Sequence, residues 1–165
     1  MRSDGEYARI LTQNARFVEA FDRSALTAAP LRGLAILTCM DARIDVEDAL
    51  GMRVGDAHII RNAGGRASAD AIRSLVVSQQ LLGTREIVVI GHTRCGLQGA
   101  DEMALRQRVE ESTGTATKMG FGAFHDLDAM VREQVQLLAT EPALLDVPIR
   151  GLVYEVETGR LREVG

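Results

Sequence analysis

The sequence predicts an α/β fold, a mainly parallel sheet flanked by helices. The stretches Leu34–Leu37 and Glu86–Ile90 are short and apolar on both faces, as strands of a parallel sheet are. Stretches of helical periodicity, such as Asp70–Leu82, alternate with them, which implies βαβ units with helices on both faces of the sheet. Both apolar runs lead directly into chemically capable residues, and folds of this class bind ligands beyond the carboxyl ends of their strands.

Along the chain, residues 6–23 carry Tyr7, Ile10, Leu11, Phe17, Val18 and Phe21 at roughly helical spacing and predict an amphipathic helix interrupted at Asn14. Preceding the first core strand, this helix is placed either across a neighbouring subunit or on its own domain. Ala28-Ala29-Pro30 breaks the pattern before the strand Leu34–Leu37. Val46–Leu50 reads as a short helix closed by Gly51, and His58–Ile60 as a second short strand. The helix Asp70–Leu82 stops at Gly83, and the strand Glu86–Ile90 follows. Residues 100–111 and 123–139 read as helices around a Gly/Thr-rich stretch at 112–122. Gly151–Glu155 then reads as a strand that turns through Glu157-Thr158-Gly159-Arg160 into a short partner, Leu161–Val164. No repeat or linker marks a boundary, so residues 1–165 are expected to form a single domain with an N-terminal helical arm at about 6–23.

Composition narrows the function. A net charge of -4 without a basic cluster excludes nucleic acid as the expected partner. No apolar run reaches the roughly 20 residues of a membrane span. The polar start, Met1-Arg2-Ser3-Asp4-Gly5-Glu6, lacks the apolar core of a signal peptide, so a cytoplasmic location is expected.

The chemistry concentrates in Thr38-Cys39-Met40-Asp41-Ala42-Arg43 and Gly91-His92-Thr93-Arg94-Cys95-Gly96. Cys39 and Cys95 are the chain's 2 cysteines. A disulfide is one reading of them; a reducing compartment and His92, close ahead of Cys95, favour metal ligation. Two thiolates and an imidazole suit tetrahedral Zn²⁺, with the remaining position left to Asp41 or to water. Thiolate donors make such a metal less acidifying than an all-imidazole set, but water bound to it still ionises to a nucleophile. If Asp41 stayed on the metal the site would be closed and structural; if Asp41 paired with Arg43, whose planar fork suits a carboxylate, water could enter. Arg61-Asn62-Ala63-Gly64-Gly65 lies between strand and helix, and the amides of its glycines are expected to face the thiolates or a small anion, unless the glycines serve only a tight loop. Gly96 and Gly99 are expected in a tight turn or in close packing at the metal. Of the 3 histidines, His58 reads as structural, and His125, at the start of a helix, as a surface group or proton carrier.

Taken together, Cys39-x-Asp41-x-Arg43, Arg61-Asn62-Ala63-Gly64 and His92-x-x-Cys95-Gly96 resemble the β-class carbonic anhydrases, most of all a compact bacterial branch well represented in actinobacteria. The resemblance runs from about Leu34 to Gly99. It implies a Rossmann-like sheet, one Zn²⁺ per chain on Cys39, His92 and Cys95, and self-association as a dimer or tetramer. The implied reaction is reversible hydration of CO₂ to bicarbonate and a proton by zinc-bound hydroxide. Asp41 and Arg43 would be the catalytic gate, with Asp41 a metal ligand only in the closed state, and Gly64 and Gly65 would lie at the substrate pocket. The substrate-binding glutamine that plant-like members carry ahead of the first strand is replaced here by Thr27-Ala28-Ala29-Pro30. Two alternatives stand beside this reading: hydrolysis of carbonyl sulfide or carbon disulfide on the same fold and metal, and a non-catalytic structural or sensor zinc protein.

Overall fold

The first strand, β1 (Leu34–Cys39), lies inside the sheet, and its Ala35, Ile36 and Leu37 are wholly buried. Flanking it are β2 (Ala57–Asn62) on one side and β3 (Glu86–His92) on the other, both parallel to it. Next to β3 lies β4 (Ile149–Tyr154), also parallel, and β5 (Leu161–Val164) closes the edge antiparallel through the expected turn. The 5-stranded order is β2-β1-β3-β4-β5. A computed structural model provides this description for residues 5–165; Met1-Arg2-Ser3-Asp4, the first part of the polar start, lies outside the described residues.

The chain leaves β1 toward one side and returns to its other side at β3, so the strand order reverses between the ends of β1 and β3. A crevice opens at such a switch point. Thr38, fully buried, donates its hydroxyl to the Ile90 carbonyl at 2.9 Å and ties the two strands together just below it.

Helices flank the sheet on both faces as expected, but unequally. α3 (Ala69–Gln80) covers β1 and β2, and α5 (Leu127–Ala139) covers β3 and β4. Both lie on the same face. His58 reaches Ser78 of α3 from that face, and Ile60, Leu37, Val89 and Gly151 form one cross-strand row that ends beneath Val131 of α5. The packing there is tight: a Cβ on Gly91 would sit 2.6 Å from the Val131 Cγ2 atom. Over the other face lies only the short α2 (Val46–Ala49) and its flanks, against Thr38, Ile90, Tyr154 and Leu161. Strands that are apolar on both faces do not reveal which face a helix covers and which is left to another contact.

The element boundaries moved where caps decide them. α1 (Glu6–Glu19) ends short of residue 23, its last turn tightened by Ala20 N–H to Phe17 and Phe21 N–H to Val18 carbonyl bonds. Ser68 caps α3, and Asp126 caps α5 by accepting the Ala129 N–H at 2.9 Å. His125 therefore lies before that helix rather than at its start, and residues 123–126 instead bridge back to Gln98. No residue of α1 is buried, and its Tyr7, Ile10, Leu11, Phe17 and Val18 are exposed. Among the described residues no helix is long and apolar enough to cross a membrane.

α4 (Glu102–Thr113) organises the Gly/Thr-rich stretch that follows it. The Glu102 carboxylate accepts the backbone N–H groups of Phe121 and Ala123, at 3.0 Å from each, and Arg106 holds the Met119 carbonyl. Those N–H donors, Ala123 first, hold the Glu102 carboxyl below its usual range. A depressed folded-state pKa adds stability above the ordinary glutamate range that is lost as the pH falls through the folded value. Acid is therefore expected to loosen this loop. Glu102→Gln should speed amide exchange at Phe121 and Ala123 by roughly fivefold or more near neutral pH. It should also abolish the loss of protection, taken relative to the intrinsic exchange rate at each pH, that is expected of the unaltered chain in acid, with hydrogen-exchange mass spectrometry as the measurement.

Candidate metal centre

At the switch point the strand ends deliver Cys39 from β1 and His92 from β3, and the following turn brings Cys95 beside them. All are buried, and their ligand atoms lie within 4.8 Å of one another. The His92 Nδ1 atom bonds to the Thr93 carbonyl at 2.9 Å, which places its proton there. Its Nε2 atom is thereby left as a lone pair, buried and without a hydrogen-bond partner. An orphaned buried acceptor facing two sulfurs fits a soft, borderline cation such as Zn²⁺.

The electrostatics point the same way. The neighbouring Cys95 thiol pulls the Cys39 pKa down, helped by the N–H groups of Asp41 and Gly64, while the Cys39 sulfur pushes Cys95 up. One thiolate forms readily, and its charge holds the proton on the other. Burial works against an imidazolium at His92, yet the Cys39 sulfur raises the His92 pKa overall. The pocket draws positive charge, and only a cation that replaces those protons satisfies both sulfurs together.

Beside the sulfurs, Asp41 lies on Arg43. The guanidinium Nε donates to Oδ1 at 2.9 Å, the Nη2 atom to Oδ2 at 2.7 Å, and the Arg43 backbone N–H adds a bond of 3.0 Å to Oδ1. These donors hold the Asp41 carboxyl well below the usual carboxylate range. Its Oδ2 atom is at the same time 3.9 Å from the His92 Nε2 atom. Arg43 and the ligand cluster thus lie within reach of one carboxylate.

The glycines of the second loop serve the first ligand. Gly64 turns its amide toward the Cys39 sulfur. Gly65, at φ +63°, packs directly on the β1 backbone, where a Cβ would meet the Thr38 carbonyl carbon at 3.1 Å and the Cys39 nitrogen at 3.2 Å. Gly99 adopts a left-handed turn at φ +72°, as expected. Gly96 does not share that reason: its φ is ordinary and no protein atom lies near its missing side chain.

His58 is the satisfied structural histidine of the sequence reading, bonded to Ser78 Oγ at 2.7 Å and to the Ala28 carbonyl at 2.8 Å. His125 is exposed. Arg61, by contrast, has a role that its motif did not disclose. Its guanidinium donates to the carbonyls of Cys39, Asp41 and Ile44, at 2.9, 2.6 and 3.1 Å, and so fixes the whole turn that carries Asp41 and Arg43. It stands opposite Thr38 on β1, a register that only the folded sheet discloses.

The carbonic anhydrase family model matches residues 34–161. The chain belongs to the β-carbonic anhydrase family. Over 155 residues it is 37% identical to β-carbonic anhydrase 1 of Mycobacterium tuberculosis, covering 93% of this chain and 94% of that one. The crystal structure of carbonic anhydrase from Streptococcus mutans superposes with a TM-score of 0.93 at 40% identity, covering 98% of both chains. A carbon disulfide hydrolase of Saccharolobus solfataricus is 41% identical over a shorter share, 80% of this chain and 77% of the relative. As a β-carbonic anhydrase the chain is a zinc-dependent carbonate dehydratase, a lyase, and Cys39, His92 and Cys95 are the donor set it offers the metal.

Proposed function

We propose that the protein hydrates CO₂ reversibly to bicarbonate with Asp41 as a movable gate on the metal site, a reading carried by the bidentate Asp41–Arg43 pair beside the ligand cluster. Zinc, when bound, supplies the Lewis acidity that lets water lose a proton near neutral pH. Arg43 keeps Asp41 ionised and turned off the metal, so that a small molecule can approach. From there the carboxylate accepts a hydrogen bond from the attacking oxygen and leaves its lone pair free for the CO₂ carbon. One C–O bond forms, bicarbonate departs, and the proton released in the cycle passes to solvent. The amides by Gly64 and Gly65 hold the floor of this pocket.

The exposed apolar stripe of α1 and the sheet face covered by only the short α2 support self-association, with the arm of one copy lying on a second. We read residues 1–165 as one domain carrying that arm. Two free cysteines poised for a metal support a cytoplasmic, reducing location.

Stopped-flow CO₂ hydration between about pH 7 and 9, on protein of known zinc content, tests the reading. Turnover that rises with pH supports it. Fully zinc-loaded protein without turnover, but active on carbon disulfide or carbonyl sulfide, would transfer the assignment to those substrates. Asp41→Asn is expected to keep its zinc and to lose about 10-fold or more of kcat/KM; unchanged turnover would remove Asp41 from the mechanism.

A further inference from the structure

Between the two ligands of the second motif, Arg94 holds φ +52°, and it alone among the described non-glycine residues has a positive φ. Such a backbone is strained for a residue with a side chain and persists only where its surroundings impose it. Here they do. The Thr93 hydroxyl donates to Glu157 Oε2 at 2.7 Å and accepts the Val156 N–H at 3.0 Å. The Thr93 N–H is held by the Tyr154 carbonyl at 3.0 Å, and the Arg94 guanidinium pairs with Glu157 Oε1. A single carboxylate from the β4–β5 turn thus grips two successive residues of the ligand turn.

The strained residue is oriented toward the gate. The Arg94 carbonyl accepts Arg43 Nη2 at 3.0 Å, and this same nitrogen donates to Asp41 Oδ2. A continuous path of hydrogen bonds therefore runs from Glu157 through the Thr93–Arg94 backbone to Arg43 and Asp41.

We infer that Glu157 is a positioning residue for the gate: by fixing the left-handed Arg94 it aims the Arg94 carbonyl at Arg43 and so keeps Asp41 on Arg43 and off the metal. The inference rests on the gate reading above. Without Glu157 the turn relaxes, Arg43 loses its second acceptor, and Asp41 spends more of its time closing the site. Glu157 hydrogen-bonds to the turn and to neither the metal ligands nor the pocket glycines; its charge also lies near Arg43, a direct influence that the variants below tell apart from positioning.

The test uses cobalt(II)-loaded enzyme titrated with thiocyanate at one pH, read from the visible spectrum. Apparent affinity falls in proportion to the fraction of protein in the open form. Glu157→Gln is expected to weaken thiocyanate about threefold to tenfold, the scale of one partly exposed charged contact. A direct charge effect has the opposite sign, since removing an anion near the site would tighten binding of another anion. Arg94→Gly is expected to bind thiocyanate within about twofold of the unaltered enzyme, because glycine holds this φ without strain and keeps the carbonyl. Tighter or unchanged binding in Glu157→Gln, or weakening in Arg94→Gly equal to that in Glu157→Gln, would overturn the inference. Asp41→Asn separates it from the reading on which it rests. Added to Glu157→Gln, it should abolish the weakening: a weakening that persists in the double variant removes the gate itself, whereas no weakening in Glu157→Gln alone removes only the role of Glu157. Metal analysis of each variant at one cobalt per chain guards against simple loss of the site.

Discussion

Cys39→Ser protein is expected to emerge from purification essentially free of zinc and without measurable CO₂ hydration. A serine hydroxyl stays protonated at neutral pH and is a poor, hard donor where the pocket was built around sulfur. The N–H groups of Asp41 and Gly64 would also lose the thiolate to which they point. Removing a group that only orients a ligand commonly costs 10- to 100-fold in metal affinity, so losing a ligand itself should exceed about 100-fold. Because metal binding is coupled to folding, the variant should also melt earlier than the zinc-loaded enzyme and no earlier than the chelator-stripped one. Metal analysis with a calorimetric scan checks both parts, and full zinc retention would take Cys39 out of the ligand set.

Gly65→Ala is expected to cost about 2–4 kcal/mol and to lower Tm by about 5–15 °C. Two penalties combine at this position. The residue sits at φ +63°, and its new Cβ would press on the Thr38 and Cys39 backbone at 3.1–3.2 Å. Those atoms belong to β1, an interior strand, and cannot give without moving the Cys39 ligand. Zinc affinity should therefore fall together with stability. Gly64→Ala provides the contrast: it shares the left-handed backbone, at φ +79°, but its Cβ would meet only flexible side chains, the end of Leu97 most closely and then Arg66. It should cost about 1–2 kcal/mol and leave the metal in place. Thermal unfolding and competitive zinc titration of the pair measure the difference.

Much of this site could be read from the chain because strand ends and ligand spacing are local properties. Apolar runs ending in Cys39 and in His92 announced both the sheet edge and the donors, and Asp41 and Arg43 followed within the same turn. The parts that escaped are those that only folding brings together. Arg61 reaches the first motif from a neighbouring strand, and Glu157 reaches the second from the far end of the chain. Neither carries a spacing signal toward its target. Helix starts escaped for a different reason: Ser68 and Asp126 set them through single side-chain bonds to the backbone, which periodicity does not register. The face covered by α3 and α5 escaped because β1 and β3 are equally apolar on either side.

The ligands come from adjacent parallel strands whose pairing is Leu37 with Val89 and Thr38 with Ile90. A slip of one residue between these strands would invert every side chain of one strand relative to the other. Cys39 already lies level with Gly91 and not with His92, so these two ligands are out of phase across the strands and meet only at the strand ends. A metal bound there would therefore tie β1 to β3 at their tips, where the alternation of strand faces no longer decides which side chains can meet.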